Sequence, residues 1–174
     1  MTTTLKVCVA AHGYEPQGWG LDVSRVLATF VAPAVRVLAM ATLPSAPFTS
    51  LLPQARRAWD GARATHLEQE TQRLERVVST LDGLLPHRAD IVTVTCEARR
   101  LATTITDEAE RWGADLLIVG RPAAGFGTWL WPGPIHEQVL RRAACAVIVT
   151  PPAPRARAPK LVAMPRGAAA ERRA

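Results

Sequence analysis

The sequence predicts an α/β fold: a five-stranded, parallel, open sheet with helices on both faces. Short runs of apolar residues alternate with segments whose apolar residues recur at helical spacing, in the order β-α-β-α-β-α-β-α-β. The strand runs are apolar throughout, as is typical of parallel strands that are covered on both sides. A helix between successive strands is also what a parallel crossover requires.

The first half of the chain supplies two strands and two helices. A compact apolar run at 5–11 ends at His12 and Gly13, which predicts a strand followed by a turn. Apolar residues at helical spacing, with Asp22 near the start, predict a helix over about 20–32. A second strand follows at 34–41, and three prolines predict a loop over 42–54. One apolar stripe among Glu, Gln and Arg predicts a long, half-exposed helix over about 55–83.

The second half repeats the alternation. Residues 90–95 are rich in β-branched side chains and predict the third strand. The third helix has an apolar face that includes Leu101 and Ile105, and it should end at Gly113, because glycine adopts the left-handed conformation that closes helices. A strand at 115–119, a helix at 135–142 and a strand at 146–150 complete the pattern.

The charge of the chain is concentrated at its C-terminal end. The net charge is +6 over 174 residues, but residues 151–174 contain six basic side chains and one acidic one, which leaves +1 for residues 1–150. We therefore expect one domain over 1–150 and a basic Pro/Ala/Arg-rich tail over 151–174 that is disordered, because it has too few apolar residues to offset its ordering entropy. A solvated extension is the favoured interpretation of this tail. Contact with nucleic acid, an acidic membrane or an acidic partner is the alternative.

The cysteines and the N-terminus indicate a cytoplasmic protein. Cys8, Cys96 and Cys145 are odd in number, far apart and in or beside predicted strands, which favours small buried side chains in a reducing compartment over a disulfide framework or a zinc site. The first residues lack the pattern of a signal peptide, and the longest apolar stretch is interrupted by Pro33 and Arg36. No membrane span is predicted.

The segment from Gly120 to Pro134 is the candidate site. It connects a parallel strand to a helix N-terminus, where free N–H groups and the positive end of the helix dipole favour phosphate. Ligands of open parallel sheets bind beyond the carboxyl ends of the strands, at the point where the strand order reverses. The segment therefore lies where a ligand is expected.

The same residues resemble the universal stress protein (UspA-like) family, whose members act in the stress response. Asp115-Leu-Leu-Ile-Val-Gly120 resembles its lead-in, Gly133 lies thirteen residues after Gly120 as its Gly-x2-Gly-x9-Gly-Ser/Thr pattern requires, and Cys145-Ala-Val-Ile-Val149 resembles its closing strand. The resemblance spans about residues 3–150. It implies a Rossmann-like fold of the adenine-nucleotide alpha-hydrolase type.

The resemblance also implies a nucleotide-binding set, if binding is retained: His12, Met40, Gly120, Ala123, Gly133, Pro134 and Ile135. Three positions depart from the motif, since His12 stands for an aspartate, Ala123 for the second glycine and Pro134 for the Ser/Thr. Proline has neither a hydroxyl nor an N–H, yet it starts a helix well. We therefore predict a non-enzymatic regulatory or binding domain with weak or absent ATP binding. The alternative is an ATP/AMP-binding protein that acts as a nucleotide-dependent switch, with ATP as its ligand.

Two features near this site have two interpretations each. His12 could contact a base, or make only a structural hydrogen bond at the strand end. Trp129 and Trp131 could stack on a ligand or dock on a partner, or they could fill the nucleotide site together with Phe126.

Enzyme chemistry and metal binding are weakly indicated. The chain lacks the His-x-Gly-His and Ser-Gly-Gly-x-Asp-Ser loops of related nucleotide-handling enzymes, and no Lys follows Gly125 as a Walker loop requires. The four histidines are scattered along the chain: His12, His66, His87 and His136. We predict no catalytic residues and no metal, although His12 and His136 together could bind a small anion or metal if both reach the strand ends.

The last predicted strand suggests an interface. Residues 146–150 are apolar and are followed by Pro151 and Pro152, which end the strand. An apolar edge of this kind would promote aggregation if it stayed uncovered. We therefore predict a homodimer through this strand, as the family resemblance also implies; any other protein partner is unknown.

Overall fold

The computed structural model describes residues 4–16, 18–44, 53–85, 88–121 and 134–150. Five strands form one sheet: β1 (Lys6–Ala11), β2 (Ala34–Leu43), β3 (Asp90–Glu97), β4 (Leu116–Gly120) and β5 (Ala146–Thr150). Four helices accompany them: α1 (Trp19–Leu27), α2 (Pro53–Asp82), α3 (Leu101–Trp112) and α4 (Ile135–Arg142). Every strand pair is parallel, and the strand order is β3-β2-β1-β4-β5. The predicted fold class is confirmed.

Helices cover both faces of the sheet. On one face, Ile105 of α3 and Val139 of α4 pack against Leu117 and Met40 of the central strands. On the other face, Trp19 and Val23 of α1 and Leu81 near the end of α2 pack against Val9 and Ile118. The middle strands are therefore buried on both sides, which explains why their sequences are apolar without alternation.

Most predicted boundaries hold within two residues. The first helix is the exception, because α1 ends at Leu27 rather than near 32. Phe30 and Val31 continue the helical spacing in sequence, but Ala32 has a φ of 44° and turns the chain into β2. Val31 is 96% exposed, so its place in the apolar pattern does not reflect burial. Strand β2 also runs two residues further than predicted, to Leu43.

The strand order reverses between β1 and β4. From β1 the chain builds outward through β2 to β3, then crosses back to add β4 and β5 on the other side of β1. The carboxyl ends of β1 and β4 are Ala11 and Gly120. This reversal is where open parallel sheets bind ligands, so the strand ends Ala11 and Gly120 lie at the expected location.

Strand β5 is the edge strand beside β4. Its register pairs Leu116 with Ala146 and Gly120 with Thr150. Val147, Ile148 and Val149 remain half-buried, while Thr150 is buried and its hydroxyl donates to the Val119 carbonyl at 3.5 Å. The apolar edge expected from the sequence is therefore present.

The three cysteines are free thiols. Cys8 is fully buried in the core, and burial raises its pKa to about 12. Cys96 and Cys145 are half-buried, and burial is also the main reason that their pKa values are raised.

Among the described helices, none is long and apolar enough to cross a membrane.

A candidate ligand site at the strand ends

The turn after β1 folds over the end of β4. Its sequence is His12-Gly13-Tyr14-Glu15-Pro16, and α1 begins at Trp19. Gly13 and Gly18 have φ values of 82° and 89°, a left-handed conformation that is strained for other residues. These two glycines let the chain reverse twice in a few residues, and Glu15 and Trp19 consequently lie against Gly120.

Gly120 is covered by these two side chains. A Cβ added at Gly120 would lie 2.8 Å from Trp19 Nε1 and 2.9 Å from Glu15 Cγ. Both distances are shorter than real Cβ contacts, so no side chain fits here without displacing its neighbours. We call His12, Glu15, Trp19 and Gly120 the strand-end cluster.

His12 is held by hydrogen bonds within the turn. Its backbone N–H donates to Glu15 Oε1 at 2.5 Å, and its Nδ1 accepts the N–H of Tyr14 at 3.3 Å. Because Nδ1 is an acceptor, the neutral ring carries its proton on Nε2. His12 is only 3% exposed and makes the structural hydrogen bond that one sequence interpretation predicted.

Four buried polar atoms at this end of the sheet have no hydrogen-bond partner among the described residues: His12 Nε2, Glu15 Oε2, Trp19 Nε1 and His136 Nδ1. Each unpaired buried group costs about 1–3 kcal/mol relative to a paired one. Native structures contain few such atoms, and they often mark a bound ligand or water. Three of the four belong to the strand-end cluster, so the cluster is the best-supported ligand site in the described part of the chain.

Helix α4 begins where the sequence predicts. Pro134 is its N-cap, with a φ of −60° and a ψ of 135°. Its carbonyl accepts the N–H groups of Glu137 at 3.1 Å and Gln138 at 3.3 Å. Proline therefore starts the helix as predicted and supplies no side-chain cap. The missing N–H belongs to the residue before the first turn, and the N–H groups of the first turn itself are unaffected.

His136 in the first turn of α4 is 8% exposed. Its pKa is lowered, first by burial and then by the positive charge of Arg121, while Glu137 opposes the shift. His12 interacts with Tyr14 and Glu15, whereas the charged groups that act on His136 are Arg121 and Glu137. The described residues contain no group of three or more His, Cys, Asp or Glu side chains that could hold a metal ion.

The remaining residues of the predicted nucleotide set divide into two groups. Met40 is fully buried and Ile135 is 6% exposed, and both belong to the core between the sheet, α3 and α4. Ala123 and Gly133 lie outside the described residues, as do the aromatic residues Phe126, Trp129 and Trp131, His87 and the tail 151–174.

A second polar group, which we call the Glu70 network, borders the cluster at the end of β2. Glu70 of α2 is 1% exposed and accepts the Tyr14 hydroxyl at 2.7 Å and the Thr42 hydroxyl at 3.3 Å. It also pairs with Arg73, whose guanidinium lies 4.5 Å from the centre of the Tyr14 ring. This network attaches α2 to the turn that carries Glu15.

Glu15, Trp19 and Glu70 were not among the residues predicted from the sequence. Glu70 had a signal, because it lies on the apolar stripe of α2 four residues before the buried Leu74. A charged residue on a buried stripe needs partners, and this predicts a buried polar network. Glu15 and Trp19 had no comparable local signal.

Comparison with known proteins agrees with the fold. The structure of the protein MJ0577, a structural-genomics target, matches with a TM-score of 0.58 at 13% identity, over 86% of this chain and 96% of that one. The universal stress protein UspA from Lactobacillus plantarum matches with a TM-score of 0.53 at 16% identity, over 87% of this chain and all of that one. A universal stress protein in complex with cAMP matches with a TM-score of 0.48 at 17% identity, over 86% and 98%.

The two TM-scores above 0.5 establish a shared fold, and the cAMP is a property of the third protein alone. The search of curated proteins gave no match. The model of the universal stress protein family matches residues 27–151, which is most of the chain. The chain therefore belongs to the universal stress protein family.

Proposed function

We propose that this protein is a non-enzymatic regulatory or binding domain of the stress response, with weak or absent ATP binding. The observation that carries the proposal is the cover over Gly120. In the family motif this glycine lies beside the ribose and phosphates, but here Trp19 and Glu15 occupy the space above it. A nucleotide would have to displace both side chains.

Charge supports the same conclusion. The Glu15 side chain is 2% exposed, so its carboxylate is screened little by solvent. Two like charges about 4 Å apart repel by ~4 kcal/mol at an effective dielectric constant of 20. A triphosphate held against Gly120 would meet this repulsion. It would also lack the hydroxyl that Ser or Thr supplies at position 134 in the family motif.

The second candidate is an ATP/AMP-dependent switch. It is favoured by the unpaired donors Trp19 Nε1 and His12 Nε2 and by the exposed Arg121, which directly follows Gly120. The first N–H groups of α4 also have no partners within the helix. These groups could contact phosphate if Glu15 and Trp19 moved away.

The proposed absence of catalysis rests on the surroundings of His12. The pair of His12 and Glu15, 3.5 Å apart, is the nearest approach to a base and its orienting acid. Nδ1 of His12 already accepts the Tyr14 N–H, and Nε2, which carries the ring proton, has no hydrogen-bond partner in the described part of the chain, so neither ring nitrogen is paired with a nucleophile. A nucleophile within hydrogen-bond reach is what covalent catalysis requires.

We further propose a cytoplasmic homodimer, with residues 1–150 as the domain and 151–174 as a solvated tail. The half-buried edge strand β5 supports a dimer in which two β5 strands meet. Light scattering at micromolar concentration should give twice the monomer mass, and Val149→Lys should give the monomer. Val31→Lys, at a site 96% exposed, is the control and should leave the mass unchanged. A monomeric wild type contradicts the dimer.

Calorimetric titration with Mg-ATP tests the binding proposal. We expect a Kd in the millimolar range or no measurable heat, whereas a low-micromolar Kd supports the nucleotide switch. Mass spectrometry of the denatured protein after purification provides a second readout. Stoichiometric ATP released from the protein would overturn the proposal.

A further inference from the structure

Only one oxygen of the Glu15 carboxylate accepts a hydrogen bond. Its Oε1 accepts the His12 N–H at 2.5 Å, while its Oε2 is buried without a hydrogen-bond partner among the described residues. Because Oε2 can only accept a hydrogen bond, it needs an N–H or O–H group from outside the cluster. The hydrogen bond from the His12 N–H holds Oε1, and the Cγ of the same side chain lies against Gly120.

Two unused donors accompany this acceptor. Trp19 Nε1 lies against Gly120 on the same side as Glu15, and His12 Nε2 belongs to the ring next to the Glu15 carboxylate. Neither donor is bonded to Glu15 Oε2 or to any other atom that the structure describes. The cluster therefore presents one acceptor and two donors, all nine-tenths buried or more.

The ligand class follows from this donor and acceptor set. A phosphate offers only acceptors, so it could satisfy Trp19 and His12 but would set its negative charge against Glu15. An uncharged group that carries both an N–H or O–H and a lone pair satisfies all three. A carboxamide, a nucleobase edge and a sugar hydroxyl are groups of this kind.

We propose that the strand-end cluster binds an uncharged ligand with both donor and acceptor groups, such as a nucleoside, and that Glu15 excludes the phosphorylated form. The inference rests on the proposed function and adds a ligand class and a specificity-determining residue. The cover that Glu15 and Trp19 place over Gly120 opposes a nucleoside and its phosphate alike, so the charge of Glu15 is what distinguishes the phosphorylated form.

The nearby cations do not cancel this charge. Arg121 is exposed, so water and salt screen its attraction for a phosphate. Arg73 pairs with Glu70 and lies over the Tyr14 ring. Glu15 is a buried acidic side chain whose Cγ lies against Gly120, and its charge therefore dominates discrimination at that position.

Adenosine and AMP are the probes, because they differ only in the phosphate. Calorimetric titrations compare the full-length wild type with Glu15→Gln, which keeps the shape of the side chain and removes its charge. Glu68→Gln is the matched control, since Glu68 is an exposed residue of α2. The wild type and the control should bind adenosine at least about tenfold more tightly than AMP, a difference of about 1.4 kcal/mol. In Glu15→Gln the preference should fall below about threefold through a gain in AMP affinity.

Each outcome decides the inference. A wild type that binds neither probe, or that binds AMP as tightly as adenosine, overturns it. An unchanged preference in Glu15→Gln overturns the role of the Glu15 charge. The melting temperature shows whether Glu15→Gln folds. If it does not, the preference of the wild type for adenosine over AMP still tests the ligand class. Glu15→Asp, which retains the charge, should keep that preference. None of these outcomes changes the expected weak binding of Mg-ATP. The proposed function is therefore tested separately, by the titration with Mg-ATP.

Discussion

The indole of Trp19 lies directly against the backbone of Gly120: its Nε1 is 2.8 Å from the position that a Cβ on Gly120 would occupy. Unlike Gly13 and Gly18, Gly120 does not have a positive φ, so its backbone conformation does not require glycine. Packing, and not backbone conformation, therefore requires glycine here. The same contact closes the space above the first glycine of the family motif.

Gly120→Ala should destabilise the protein by about 1–3 kcal/mol, because the added methyl group must displace Trp19 or Glu15. Urea denaturation measures this free energy of unfolding. Gly61→Ala is the control, since Gly61 lies inside α2 with nothing within 4 Å of an added Cβ. It should stabilise the protein by up to about 1 kcal/mol. Equal stability of Gly120→Ala and the wild type would show that the cover over Gly120 is loose.

The Glu70 network should contribute to stability through hydrogen bonds. Glu70→Ala removes the acceptor of the Thr42 hydroxyl and one acceptor of the Tyr14 hydroxyl, and it should cost about 1–3 kcal/mol in the free energy of unfolding. The cost stays moderate because Arg73 is 35% exposed and can turn to solvent. Glu75→Ala, at an exposed position of α2, should change stability by less than about 0.5 kcal/mol. Similar losses for both variants would contradict a specific role for Glu70.

More of the fold than of the site could be predicted from the sequence. The bounds of α4 and β5 match the structure because their periodicity and end signals are local. The predicted end of α1 was wrong because the chain leaves the helix at Ala28, through turns in which the N–H groups of Thr29 and Phe30 bond to the carbonyls of Val26 and Leu27, although the apolar spacing continues to Val31. Glu15 and Trp19 escaped notice because they meet Gly120 from more than 100 residues away. Only the assembled sheet brings them together.

The buried His136 should make stability depend on pH. Its pKa in the folded state is lowered from 6.5, mainly by burial, so the unfolded chain binds more protons below that pH. Stability from this group is complete above pH 6.5 and falls as pH drops from 6.5 toward the folded pKa, by at most about 1.4 kcal/mol per pH unit. His136→Gln should remove this part of the slope. The comparison is the difference in the free energy of unfolding between the two proteins, measured by urea denaturation from pH 7.5 to 5. A difference that does not change with pH would contradict a neutral, buried His136.

Pro134→Ser separates the two features that oppose phosphate binding. The N-cap of α4 has no side-chain hydrogen bond, and serine there should stabilise the helix by about 0.5–2 kcal/mol. It also restores a hydroxyl and an N–H beside α4, but it leaves Glu15 and Trp19 over Gly120. We therefore expect Pro134→Ser alone to improve AMP binding less than Glu15→Gln does.

The double variant completes a mutant cycle, measured by calorimetric titration with AMP, with Pro134→Ala as the control that lacks the hydroxyl. Because the two positions act on one phosphate, their effects should exceed the sum of the single changes by about 0.5 kcal/mol or more. If Pro134→Ser alone gave the full gain in AMP affinity, the proline would be the main obstacle and the charge of Glu15 would not. If the gains were simply additive, Glu15 and position 134 would act on separate parts of the ligand.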